Sequence, residues 1–122
     1  MPVKKTLRVP KKVAGVHVVT TSDLPGHKIT EVKGLVWGTS VRARFIGKDI
    51  IAILRVFVGG EIPEYTEMIN HARLDVIKRL VKNAHGLGAN AVVGTHIGST
   101  AQIVPGTVEI FAYGTAVVVK PE

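Results

Sequence analysis

The sequence predicts an α+β fold in which an antiparallel sheet packs on one long helix and one short helix. A run with helical periodicity from residue 61 to about 85 indicates the long helix, with Pro63 in its first turn and Gly86 and Gly88 at its end. β-branched segments separated by turn-forming residues indicate the strands. A chain of 122 residues is expected to form one domain with its own core.

Four segments are predicted to be extended. They are residues 16–21, 29–44, 91–97 and 107–119. The last alternates between two faces. Its small face, suited to a closely packed helix, consists of Ile110, Ala112, Gly114, Ala116 and Val118. Its other face, either solvated or part of an interface, consists of Glu109, Phe111, Tyr113 and Thr115.

The segment 45–58 is predicted to be the short helix, because its apolar residues follow helical spacing, although their β-branched content also suits a strand. The segment is too short to cross a membrane and contains Lys48, Asp49 and Arg55. Residues 98–106 are predicted to form a loop. No signal-peptide pattern is present, so we expect a cytoplasmic protein.

The long helix carries more apolar surface than one sheet needs. One side consists of Ile62, Tyr65, Ile69, Ala72, Val76, Leu80 and Leu87. A flanking strip consists of Leu74, Ile77 and Val81. An apolar arc well above about 100° predicts two packing surfaces. The simplest second surface is another subunit, so the sequence predicts a homo-oligomer.

The chain is basic, with 16 Lys and Arg against 9 Asp and Glu, and its mean hydropathy is +0.29. Five basic residues lie in the first twelve, which contain no acid. They are Lys4, Lys5, Arg8, Lys11 and Lys12. We predict a flexible basic arm over residues 1–12 and a single domain over 13–122. The arm would contact phosphate on nucleic acid or an acidic surface, or would be a solvated tail.

The residues suited to metal chemistry are few. The absence of Cys excludes a disulfide scaffold, a thiolate metal site and a Cys nucleophile. Glu64, Glu67 and His71 share the polar stripe of the long helix at i, i+3 and i+7, which makes them a candidate divalent-metal site or simply a solvated face. No catalytic constellation is recognisable, so the sequence does not predict an enzyme.

Arg73 falls inside the apolar arc of the long helix. A buried guanidinium requires a carboxylate partner, and Glu61 and Glu109, from the same or another subunit, are the candidates. We therefore predict a buried ion pair at Arg73. An anion-binding role is the alternative.

Several blocks of the sequence recur in a known family. They are Val19-Thr20-Thr21 with Pro25-Gly26, Gly59-Gly60-Glu61 with Tyr65, Ala72-Arg73, Gly88-Ala89-Asn90-Ala91-Val92-Val93-Gly94, and Ala112-Tyr113-Gly114-Thr115-Ala116-Val117. On these blocks, residues 16 to 119 resemble the YbjQ-like family, whose members are often labelled heavy-metal-binding. The resemblance implies an α+β subunit, similar to that of dodecin, in a ring-shaped homo-oligomer, with a pentamer favoured.

The sequence departs from the family pattern in two places. Residues 1–12 lie outside the family core. In the predicted strand 91–97, the residues Thr95-His96-Ile97 differ from the pattern expected of the family. Without Cys, a soft metal also lacks its preferred ligand. The function we predict is a non-enzymatic homo-oligomeric protein that binds a metal or small anion at subunit junctions. The alternative is a nucleic-acid or acidic-surface binder that uses clustered N-terminal arms.

Overall fold

The computed structural model describes residues 8–43, 63–100 and 107–122. Its elements are β1 (Lys12–Val13), β2 (Val16–Val18), β3 (His27–Ala43), α1 (Pro63–Gly86), β4 (Ala91–Thr100) and β5 (Thr107–Pro121). The strands form one sheet in the order β1-β2-β4-β5-β3. The helix α1 packs on one face of this sheet, which confirms the predicted α+β class.

The sheet is mixed, whereas the sequence predicted an antiparallel one. β2 pairs with β4 in parallel, and the other three strand pairs are antiparallel. Parallel neighbours require a long crossover connection, commonly helical. Here the chain between β2 and β4 forms β3 and α1, so the antiparallel prediction is wrong for this one pair.

The predicted elements agree with the described ones to different degrees. The long helix and the extended segment of β3 are confirmed, whereas the first predicted strand stops at Val18. β4 continues to Thr100, so the segment predicted as a loop begins as strand. Residues 101–106 and the predicted short helix 45–58 lie outside the described residues. No helix of the described chain is long and apolar enough to cross a membrane.

The C-terminus of α1 is closed by backbone hydrogen bonds around Gly88. Ala89 N–H donates to the carbonyl of Ala84 at 3.1 Å, and Gly88 N–H donates to that of His85 at 2.9 Å. This pair of bonds is the Schellman motif, whose C′ residue adopts positive φ. Gly88 has φ +82°. The predicted helix stop at the glycines is therefore confirmed.

The core lies between α1 and the sheet. It consists chiefly of Val16, Val36, Ala72, Val76, Ile77, Leu80, Val81, Ala84, Val92, Ile110, Ala112 and Ala116. Ile77 and Val81 are each only 2% exposed in the single chain. These two residues of the flanking strip therefore need no second subunit to cover them. The wide apolar arc of the helix was the basis for predicting an oligomer, and at these two positions it is covered by the chain's own core.

The surplus apolar surface lies on the sheet. We call the side away from α1 the open face. Val36 and Gly38 of β3 face the helix, so alternation places Leu35, Trp37 and Val41 on the open face. These three side chains are 63%, 60% and 60% exposed. One end of the open face is filled by a small cluster of Ala91, Val93, Val117 and Val119, with Val19, Leu24 and Ile29 against it.

Candidate functional site

Two concave surfaces meet at Arg73. One, of about 410 Å³, is lined by Arg73, Ile97, Gly98, Ser99 and Ile110. The other, of about 260 Å³, is lined by Arg8, Val9, Asn70, Arg73, Leu74 and Ile97. We call the two together the Arg73 groove.

Two elements and the segment before β1 position the groove. On α1, Arg73 and Leu74 lie three and four residues after Asn70, so all three share one side of the helix. On β4, Ile97 pairs with Ala112 and Ser99 pairs with Ile110. Ala112 and Ile110 belong to the core under α1, so Ile97 and Ser99 lie on the helix side of the sheet. Val9 is partly buried against the same core, which places its neighbour Arg8 at the groove.

Arg73 is exposed in the single chain, so the burial predicted for it would have to come from another subunit. Its angular position coincides with that of Leu80, which is fully buried two turns further along α1. The groove separates this turn of the helix from β4 and β5, and the sequence pattern cannot detect that separation. Of the proposed partners, Glu109 accepts a hydrogen bond from Thr100 at 3.2 Å, and Glu61 lies outside the described residues.

Among the described residues, the positive charge of the groove has no acidic partner. In the described chain, the ion pairs are Lys33 with Glu31 and Arg42 with Asp75, and neither includes Arg8 or Arg73. No Asp, Glu or His lines either concave surface in the part of the chain that the structure describes. Within the described residues, neither guanidinium group has a carboxylate partner, and both can bind an anion.

The predicted metal stripe is only partly described. Glu67 and His71 are exposed on α1, and the side chain of Glu64 lies outside the described residues. Among the residues described, no three His, Cys, Asp or Glu side chains form a group that could hold a metal. The next carboxylate of the stripe, Asp75, pairs with Arg42 of β3. Sequence reasoning missed that ion pair because its members are 33 residues apart.

The basic N-terminal segment is partly integrated into the fold. Lys12 pairs with His17 between β1 and β2, and the carbonyl of Lys11 accepts a hydrogen bond from Val18 N–H at 3.2 Å. The arm boundary predicted at residue 12 therefore falls inside a strand pair. Lys4 and Lys5 lie outside the described residues.

The structure brings together His17 and His27, a pair that the sequence does not predict. The rings of His17 and His27 have centroids 5.1 Å apart, and His27 Nδ1 lies 3.2 Å from the carbonyl oxygen of Pro25, to which its N–H donates. Burial lowers the pKa of His17, and the positive charges of Lys12 and His27 lower it further. The turn signal at Pro25 could have indicated that the two histidines meet.

The open face carries a row of rings. Trp37, Tyr113 and His96 are direct neighbours on β3, β5 and β4, and the rings of His96 and Tyr113 have centroids 5.3 Å apart. The Phe111 ring covers Gly98, where an added Cβ would lie 2.7 Å from Cζ. The resulting surface is apolar and aromatic in its middle.

Taken together, these features define a class: a small α+β protein with one helix on a five-stranded sheet, a cationic groove beside that helix and an apolar open face. The chain belongs to the YbjQ family, whose model, described as "putative heavy-metal-binding", matches residues 16–120.

Relatives in archaea and bacteria are similar over most of their length. The chain is 49% identical to a UPF0145 protein of Pyrococcus horikoshii, over 90% of this chain and 93% of that protein. It is 50% identical to one of Saccharolobus solfataricus, over 89% and 95% of the two chains. It is 44% identical to one of Acinetobacter baylyi, over 80% and 90%.

A solved structure supports the fold. A protein of unknown function from Pediococcus pentosaceus, assigned to the DUF74 family, superposes with a TM-score of 0.63. The match covers 87% of this chain and 99% of that one at 19% identity. At this identity the likeness concerns the fold alone.

Proposed function

We propose that this protein is a non-enzymatic, self-associating binding protein. Its open face packs against another copy of the chain, and the Arg73 groove, which lies on the helix side of the sheet, holds a ligand. The observation that carries the proposal is the exposed apolar surface formed by Leu35, Trp37 and Val41, continued by Tyr113 at 41% exposure. Large contiguous apolar patches on soluble monomers commonly mark interaction sites.

Energetics favour covering this surface. Moving one Val or Leu side chain from water into an apolar contact stabilises by about 1.5–3 kcal/mol, and an aromatic ring adds comparable area. Sheets also pack face to face, at about 10 Å, with their side chains interdigitated. Burial of three or four such side chains on each partner offsets part of the entropic cost of association.

The charge pattern of the open face permits a second copy as the partner. The chain has a net charge of +7, so two copies repel each other overall. Among the described residues, the middle of the open face contains no Lys or Arg. Its residues there are Leu35, Trp37, Thr39, Val41, Glu109, Phe111, Tyr113 and Thr115 of β3 and β5, and His96 and Gly98 of β4. Two copies can therefore meet on this face with little repulsion, and the family resemblance favours a ring of five.

For the ligand, the lining of the groove favours a small anion over a metal ion. Metal ions require carboxylate, imidazole or thiolate donors, whereas Arg73 and Arg8 supply positive charge. The metal alternative depends on the stripe of Glu64, Glu67 and His71. An assay of zinc and nickel uptake by the Glu67→Gln/His71→Gln variant tests it, and undiminished uptake would eliminate the stripe as a metal site.

Light scattering tests the assembly. We expect the wild-type chain to be oligomeric at micromolar concentration and the Leu35→Glu/Val41→Glu variant to be monomeric with an unchanged circular dichroism spectrum. Leu87→Glu is the control, since Leu87 is 47% exposed at the end of α1, away from the open face. A monomeric wild-type chain, or an oligomer insensitive to the open-face variant, would contradict the proposal.

A further inference from the structure

The Arg73 groove is amphipathic. Its apolar lining includes Leu74 of α1 and Ile97 of β4, which are 44% and 45% exposed. Ile97 lies on the helix side of the sheet, so packing on the open face would not cover it. These side chains lie next to Arg73, so apolar and cationic surface meet in one depression.

The polar groups of the groove are suited to an oxyanion. Arg73 and Arg8 both line the smaller surface, together with the amide of Asn70. A guanidinium donates two parallel hydrogen bonds to a carboxylate or phosphate, and such charge-assisted bonds are roughly twice as strong as neutral ones. Ser99, on the larger surface, provides a hydroxyl on the other side of Arg73.

The size of the groove limits the ligand. Small-molecule sites commonly measure about 300–1,000 Å³. The larger surface, at about 410 Å³, lies at the lower end of that range, and the smaller, at about 260 Å³, lies just below it. No aromatic side chain lines either surface among the described residues, so a nucleobase would have no stacking partner there. An aliphatic body fits this lining better than a base.

We propose that the Arg73 groove binds a small amphipathic organic anion. Its carboxylate or phosphate head is held by Arg73 and Arg8, and its aliphatic body lies on Leu74 and Ile97. This inference deepens the proposed function, on which its binding role rests, by giving the ligand a chemical class. It does not require the chain to be assembled.

Calorimetric titration with four probes tests the ligand class. Hexanoate and hexyl phosphate are expected to bind, and the tighter of the two identifies the head group. Hexylammonium, with the same body and opposite charge, is expected not to bind. Inorganic phosphate is expected to bind at least tenfold more weakly than hexyl phosphate. Equal binding of hexylammonium and hexanoate, or of inorganic and hexyl phosphate, would overturn the inference.

Matched variants test the residues. Arg73→Gln is expected to weaken hexanoate binding at least tenfold. Lys78→Gln removes the same charge from an exposed position on the same helix and is expected to change it less than twofold. Leu74→Ser is expected to weaken hexanoate binding while leaving that of inorganic phosphate unchanged. Equal effects of Arg73→Gln and Lys78→Gln would refute a specific role for Arg73.

Light scattering on the same samples separates this inference from the proposed function. An assembled wild-type chain that binds none of the anionic probes would refute the ligand class and leave self-association intact. A monomeric chain that binds hexanoate through Arg73 would support the ligand class and refute self-association.

Discussion

Gly38 is the residue at which the backbone of α1 contacts β3. An added Cβ there would lie 2.5 Å from the carbonyl oxygen of Val76 and 2.8 Å from the amide nitrogen of Leu80. Because both atoms belong to the helix backbone, α1 would have to move. We expect Gly38→Ala to lower the free energy of unfolding by about 1–3 kcal/mol, as overpacking of a core does. Urea denaturation measures the change.

Gly86 supplies the control for this substitution. An added Cβ at Gly86 meets no atom within 4 Å, and the residue lies at the end of α1. Gly86→Ala is expected to be neutral or to stabilise by up to about 1 kcal/mol, because Ala loses less backbone entropy in a helix. Equal effects at Gly38 and Gly86 would show that the helix is not in close contact with β3.

His17 gives the stability a dependence on pH. Burial first, and then Lys12 and His27, hold the pKa of His17 below its usual value of 6.5. In the unfolded chain the imidazole therefore binds a proton at higher pH than in the folded chain. The contribution of His17 to the free energy of unfolding is therefore complete above about pH 6.5. It is lost as the pH falls towards the pKa of His17 in the folded chain.

Imidazole NMR titration measures this pKa directly. We expect His27→Gln to raise the pKa of His17, because one neighbouring positive charge is removed. His85→Gln, at an exposed position of α1 whose charge does not act on His17, is expected to leave it unchanged. A pKa of His17 at or above 6.5 in the wild-type chain would contradict the assignment.

At the scale of elements, α1 stabilises the edge of the sheet. β3 is an edge strand, and its outward carbonyls at Trp37 and Thr39 accept hydrogen bonds from Asn83, at 2.7 Å, and from Arg79. Exposed edges with free backbone groups favour pairing with other chains. The two side chains occupy acceptors that another strand would otherwise use.

Removal of the Asn83 side chain tests this role. Asn83→Ala is expected to destabilise by about 0.5–1.5 kcal/mol, the usual contribution of one hydrogen bond, and to increase concentration-dependent aggregation. Lys82→Ala, its exposed neighbour, is the control. Denaturant unfolding and turbidity at several protein concentrations give both readouts, and equal behaviour of the two variants would show that the bond to Trp37 contributes nothing.

At the scale of the whole molecule, Trp37 can report assembly. It is the single Trp of the chain, and it lies on the open face. In an assembly that covers this face, its fluorescence emission is expected at shorter wavelength, with weaker iodide quenching, than in the Leu35→Glu/Val41→Glu variant. Identical spectra would show that Trp37 is not at the interface.

The sequence predicted the regular elements well, and the reason is local. The periodicity of α1, its closing glycines and the alternation along β5 depend on neighbours within a few residues. The family blocks, such as Ala72-Arg73, placed the chain in its family without any tertiary information. The polar stripe of α1 was also recognisable, but the partner of Asp75 was not.

What the sequence by itself determined was the α+β class, the position of the long helix and the family. Only the tertiary structure decided where the surplus apolar surface lies, because Ile77 and Val81 are covered by the chain's own core while Trp37 is not. It also decided that Arg73 lines a groove with Arg8. Both outcomes depend on contacts between residues distant in the chain, and periodicity along a single element carries no information about such contacts.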